Sequence, residues 1–297
     1  MSIHHQIMYF FSSIHNTVLD ALANFFTIIG EEYVIIAIAM LIFWCIDKKK
    51  GFASFFAMIF ATNIMNIIKV IVRFPRPWMV LENLHVVRKE TATGYSFPSG
   101  HTTMSASFYG SIAKSFKSKV VRFICIALIA IIAFLRVYLC VHWPTDVLGG
   151  LAIGIPCAIL LTRYAMSFQD NVYRDAKKMM FVAALMTIAG LVVAILCQNG
   201  TFNSEMVSDL YIGLAISGGV LFFSTLEQTT IAFKVDGSVG LRILRYIVGM
   251  VGLIGILIGL KPILPSGDIF RFSRYLLTGI WAVWAYPLLG KKLKLFI

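Results

Sequence analysis

Charge is what this chain has least of. Only 13% of its 297 residues are charged, and acidic groups are the scarcer half, 14 Asp and Glu against 26 Lys and Arg. A soluble globular domain carries about 25% charged residues, so a water-exposed fold is excluded. Cysteine is sparse as well. Cys45, Cys125, Cys140, Cys157 and Cys197 all fall within or at the ends of hydrophobic runs, without metal-ligand spacing. That argues against a disulfide framework and for small apolar filler. The 8 prolines and 22 glycines build no Pro/Gly/Ser-rich linker, and no internal repeat is visible, so two soluble parts joined by a tether are excluded too. The first residues carry neither the basic n-region nor the small-residue cleavage site of a signal peptide.

What remains is grease. Hydrophobic residues make up 59% of the chain, and the mean hydropathy is +0.84. Backbone groups in hydrocarbon must be satisfied within their own segment, so the spans are expected to be helices of roughly 20 residues each. The runs at 31–46, 52–72, 100–116, 121–141, 144–166, 179–197, 208–227, 243–262 and 271–290 predict an all-α, polytopic membrane helix bundle. About nine transmembrane helices are expected on that pattern. Residues 4–28 differ: Met8, Phe10, Phe11, Ile14, Val18, Leu19, Leu22, Phe25 and Phe26 alternate at helical intervals with His5, Ser12, His15, Asn16 and Asp20. This predicts an amphipathic helix lying in the interface.

The net charge of +12 raises the question of nucleic acid, but the cations form no single binding face. They bracket hydrophobic runs, the positive-inside pattern. Lys48-Lys49-Lys50, Lys114/Lys117/Lys119/Arg122, Arg174/Lys177/Lys178, Lys234/Arg242/Arg245 and Lys291/Lys292/Lys294 all fall on one side of a nine-span arrangement, which is therefore expected to be cytoplasmic. Arg73, Arg76, Arg88, Lys89, Lys261, Arg271 and Arg274 run against the rule. Glu227, Asp236 and Asp268 lie near span ends and read as solvated loop groups.

Three polar segments interrupt the hydrophobic runs: Lys69 through Arg76-Pro77, Pro98-Ser99-Gly100-His101, and Arg136 through His142-Trp143-Pro144-Thr145-Asp146. Each sits at a span end. Lys69 and Arg76 are nearly two helical turns apart and face one direction if the helix persists, with Pro75 and Pro77 ending it. Ser99 is a good N-cap, and the free amides after it, beginning at Gly100, make a phosphate cradle. Pro144 suits the first turn of a new helix, leaving His142 just outside and Asp146 within reach of its imidazole. Taken singly, each segment also fits snorkelling, capping or helix tying.

In this order and spacing the three segments resemble the signature of the type 2 phosphatidic acid phosphatase superfamily, which joins integral-membrane lipid phosphatases, glucose-6-phosphatase and vanadium haloperoxidases. The resemblance covers roughly residues 31–165. One departure is Leu135, where the family usually has Ser before the third-motif Arg. The resemblance implies a covalent mechanism without metal or cofactor. Lys69, Arg76, Ser99, Gly100 and Arg136 would hold the phosphoryl oxygens. His142 would be the nucleophile, Asp146 would orient it, and His101 would serve as general acid and then base.

Trp78, Tyr95 and Trp143 are read as interface anchors beside the site, which favours a substrate with its phosphate at the headgroup plane. Phosphatidic acid, phosphatidylglycerol phosphate, a polyprenyl pyrophosphate and a sphingoid-base phosphate all qualify. The expected organisation is an interfacial helix at 1–30, a phosphatase core at 31–167 and a four-helix block at 168–297 that lines a lipid entrance, mediates homodimerisation or stabilises the core. The active site is expected outside the cytoplasm, with the C-terminus inside, in a membrane that the compact loops suggest is bacterial. Partners are then the lipid phosphate and membrane lipids, with no nucleic acid. The alternative is a non-hydrolytic carrier or flippase for phosphorylated lipid, although binding alone needs no oriented nucleophile.

Overall fold

A computed structural model describes residues 3–89 and 92–296, and every regular element among them is helical. In chain order these are α1 (Ile3–Ser13), α2 (Thr17–Ile28), α3 (Glu32–Leu41), α4 (Lys48–Val72), α5 (Pro77–Val80), α6 (Gly100–Ser115), α7 (Lys119–Tyr138), α8 (Pro144–Asp170), α9 (Val172–Gln198), α10 (Ser204–Leu226), α11 (Val239–Ile254), α12 (Asp268–Ile280) and α13 (Tyr286–Lys292). Wider π turns extend α3, α10, α11 and α12 by five residues each.

Residues 4–28 are two helices rather than one. Asn16 breaks the run, its side chain capping the free amides of Val18 and Leu19 at the start of α2. Among the described residues, six helices are long and apolar enough to cross a membrane: α4 with α5, α7, α8, α9, α10 with its π turn and α11 with its π turn. A seventh results if α2 and α3, bent by 44° at residues 29–31, count as one span. The expected number of nine also included 100–116 and 271–290. Of these, α6 has only 16 residues, and α12 opens on Asp268, Arg271 and Arg274.

The composition of α6 has a physical cause. Eleven of its residues are buried, including Thr102, Thr103, Ser105, Ser107 and Ser111, so it meets protein rather than lipid. Thr103 and Ser107 donate to carbonyls one turn back, and Thr162 donates to Ser111 across to α8. Small residues let α8 lie against this polar helix. A Cβ on Gly154 would stand 2.6 Å from that of Ala106, and one on Gly150 would stand 2.9 Å from the Ser99 carbonyl.

The chain divides into two compact units: residues 1–36 with 54–163, and residues 37–53 with 164–297. The first holds all three motifs. In the second, α10 packs on α9 and α12. There Glu227 is 1% exposed, pairs with Lys48 at 2.7 Å and accepts the Phe233 amide at 3.0 Å. It is therefore no solvated loop group. Asp268 accepts from Ser204 and Tyr211. Arg245, counted above among the flanking cations, is buried completely.

Candidate active site

The third motif is shaped by two helix ends. α7 stops at Tyr138, and Cys140 takes a left-handed conformation (φ 55°) that returns the His142 amide to the Arg136 carbonyl at 3.2 Å. α8 then begins at Pro144, whose missing N–H costs nothing in a first turn. The Asp146 carboxylate reaches back to the Trp143 amide at 2.8 Å, as the acidic partner in a capping box does. The same oxygen, Oδ2, lies 3.2 Å from His142 Nδ1 and accepts the hydroxyl of Ser96. Asp146 and His142 are 0% and 2% exposed. With Nδ1–H held by the carboxylate, Nε2 carries the lone pair, and the Arg76 guanidinium stands 3.4 Å from it.

The second motif joins the third through the backbone, because the Ser99 amide donates to the Asp146 carbonyl at 2.9 Å. Ser99 is the N-cap residue of α6, as expected, but its side chain makes no cap hydrogen bond and instead accepts from Thr102 at 3.0 Å. At Gly100 an added Cβ would meet only Met65, at 3.6 Å, so this face of the helix start is open.

The first motif departs from expectation in one respect. α4 ends at Val72 and does not persist to Arg76, since Arg73 turns the chain with φ 53°. The two cations nevertheless converge. Lys69 donates to the Tyr95 carbonyl at 2.9 Å, while Arg76 donates to the carbonyls of Gly94, Thr93 and Val141. They therefore clasp three successive carbonyls of the loop leading into the second motif.

Arg136 is different. It is 1% exposed, donates to Thr27 at 3.2 Å, and its Nε has no hydrogen-bond partner among the described residues. A buried guanidinium with an unused donor costs energy unless an anion completes it. Asp146 Oδ1 is likewise buried without a hydrogen-bond partner among the described residues.

Three contributors escaped the sequence reading. Glu31, in the bend between α2 and α3, holds Arg88 at 2.5 Å and faces His101 Nε2 at 3.4 Å. Ser96 and Thr27 contact Asp146 and Arg136 as described. The available signal for Glu31 was an acidic residue at the head of an apolar run in a chain with few acids. Trp143 is no interface anchor. It is 4% exposed, and its indole donates to the Pro75 carbonyl at 2.9 Å. Leu135, at the position of the departure, packs with Ala23, Tyr138, Leu139 and Val141.

His142 lies in the turn between two spans. Burial, then the Arg76, Arg136 and Lys69 charges, hold its imidazole well below the usual histidine range, so the neutral ring dominates at pH 7. The cluster thus combines a neutral, carboxylate-oriented imidazole with a guanidinium that has a donor to spare, a geometry suited to an incoming oxyanion.

The chain is similar in sequence to several lipid phosphatases. The undecaprenyl-diphosphatase BcrC of Bacillus subtilis is 31% identical over 159 residues, which cover 51% of this chain and 77% of that protein. Phosphatidylglycerophosphatase B of the same organism is 34% identical over 95 residues, 29% of this chain and 45% of that protein. Among solved structures, Aquifex aeolicus LpxE gives a TM-score of 0.49 at 24% identity, covering 55% of this chain and 97% of that one. The PAP2 superfamily matches residues 50–170, and the transmembrane extension of PAP2 superfamily phosphatases matches residues 210–296. The chain belongs to the PAP2 superfamily, as a multi-pass membrane phosphatase.

Proposed function

We propose that the protein hydrolyses a phosphomonoester or diphosphate of a membrane lipid through a phosphohistidine formed on His142. The observation that carries this reading is the arrangement around that ring: Nδ1 on Asp146, Nε2 beside Arg76. Binding alone would not require it.

In the proposed cycle Arg136, the Gly100 amide, Ser99, Lys69 and Arg76 surround the phosphoryl oxygens and neutralise charge as it develops. His142 Nε2 attacks phosphorus, the bond to the leaving oxygen breaks, and His101 supplies that oxygen with a proton. His101 then removes a proton from water, which attacks the phosphohistidine. Phosphate leaves and His142 is regenerated. Glu31 faces His101 and is well placed to hold its ring. The fixed cations supply the charge neutralisation that metal ions supply in many phosphoryl transfers, so turnover should survive EDTA.

A lipid substrate is supported by apolar residues exposed around the first motif: Ile71, Val72, Phe74, Met79 and Val80. A tail would pass these while its phosphate met the cations. The relatives act on an undecaprenyl diphosphate and a phosphatidylglycerophosphate by name, so these two are the first substrates to try. The lysine and arginine clusters at the opposite span ends support an extracytoplasmic site in a plasma membrane.

The test is phosphate release from undecaprenyl diphosphate, phosphatidylglycerol phosphate and phosphatidic acid in detergent, with EDTA, for wild type and His142→Ala. Release by wild type alone is expected. If wild type released nothing yet still bound labelled lipid phosphate, the carrier reading would replace this one.

A further inference from the structure

We propose that His15, Asp20 and His85 form a binding site for a transition-metal dication of the zinc class, a site that the phosphatase chemistry does not use. Two imidazoles and a carboxylate come together from separate parts of the chain. His15 lies in the break between α1 and α2, Asp20 on the first turn of α2, and His85 in the 81–89 loop. Each offers one ligand atom, and the three atoms lie within 4.8 Å of one another. Asp20 Oδ1 is 2.6 Å from His15 Nδ1, and Oδ2 is 3.7 Å from His85 Nε2. Tetrahedral zinc, with bonds of about 2.0–2.1 Å, places its ligands roughly 3.3 Å apart. These spacings straddle that value, and His85, with 57% of its side chain exposed, is free to swing the remaining fraction.

The surroundings suit a metal. Tyr138 donates to Asp20 Oδ1 at 2.8 Å and fixes the carboxylate. The His15 ring lies between those of His85 and Tyr138, with centroids 4.6 Å away on each side, and its other nitrogen is 3.9 Å from Cys140 Sγ. Partners that orient ligands in this way are a regular feature of metal centres. A cavity of about 600 Å³, lined by Ser12, Asn16 and Asn24 besides the ligands, leaves a fourth coordination position for water. Imidazole nitrogen with one carboxylate selects Zn²⁺, Co²⁺ or Ni²⁺ over Mg²⁺ and Ca²⁺. A bound ion would staple the 81–89 loop to the α1–α2 junction, and that loop also carries Arg88, the partner of Glu31.

The experiment uses the full chain in detergent, stripped with EDTA and titrated with Zn²⁺ against a chromogenic chelator, with Co²⁺ absorption as a second readout. Wild type is expected to bind one Zn²⁺, to gain thermal stability on binding, and to give the visible bands of tetrahedral Co²⁺. His85→Ala should weaken binding by about 100-fold or more and lose both the bands and the thermal shift. His4→Ala with His5→Ala should change none of these. Phosphate release by metal-free His85→Ala should match that of metal-free wild type, which separates this test from that of the catalytic reading. Equal zinc affinity in wild type and His85→Ala, or loss of binding only on removing His4 and His5, overturns the proposal. If His85→Ala fails to fold, His85→Gln, which keeps polarity but not the imidazole, decides the matter by the same readouts.

Discussion

Arg136 in the first unit and Arg245 in the second are both buried almost completely, and the two are treated in opposite ways. Arg245 spends its donors on four carbonyls: Leu295 at 2.7 Å, Trp44 at 2.9 Å, Val235 at 3.0 Å and Asp236 at 2.8 Å. Phe296 covers its face at 4.6 Å. It joins segments distant in sequence and leaves nothing for a ligand. Among the described residues Arg136 donates to Thr27 alone, and its Nε is left over. A saturated cation is a tie, and an unsaturated buried one is a socket. Desolvation costs both groups, but only the first recovers that cost within the fold.

The comparison can be tested from both sides. The largest effect is expected at the proposed nucleophile. His142→Ala should lower phosphate release by about 10⁴-fold or more with a near-normal thermal midpoint, and comparable residual activity would show that another group attacks phosphorus. Arg136→Ala should lower kcat/KM by about 10²–10³-fold, the range for losing one oxyanion-stabilising donor, again with little change in stability. Arg245→Ala should do the reverse. It leaves buried carbonyls unpaired and should cost on the order of 3–5 kcal/mol, read as a fall in thermal midpoint, while the folded fraction keeps its kcat. Equal behaviour of the two arginine variants would break the distinction.

Smaller effects sharpen it. Glu31→Gln keeps the shape but removes the charge facing His101, and should lower kcat by about 10-fold and displace the pH optimum. A structural role alone would leave the optimum in place. The smallest effect concerns acid. Because His142 is held below its usual range, its neutral, reactive form persists above that depressed value and is lost only as pH falls through it. Between pH 7.5 and 6, kcat/KM should therefore change by less than about threefold. A loss of about fourfold over this window, which a group titrating at about 6.5 gives, would place His142 at an ordinary histidine value.

Which parts were legible in the sequence follows from the range of the interactions. The His142–Asp146 pair is one turn long, so spacing alone places the carboxylate on the imidazole. The helix starts after Ser99 and at Pro144 are local as well. Glu31, Ser96 and Thr27 were missed because each works through a partner far along the chain, and nothing in their neighbourhoods distinguishes them. The reading of Glu227 failed for the same reason: a lone acid near a span end looks solvated until Lys48 is seen opposite it. The number of spans fell short because length and apolarity cannot tell a lipid-facing helix from one enclosed by protein, and α6 is enclosed.

The sequence by itself determined that this is a helical membrane protein with three polar motifs at its helix ends, because solvent class and helix ends are set by composition and local chemistry. It also determined that His142 has Asp146 as its carboxylate partner. Only the tertiary structure decided which buried cations are spent and which are spare. Hydrogen-bond saturation is a property of groups brought together from distant segments, and no local pattern records it.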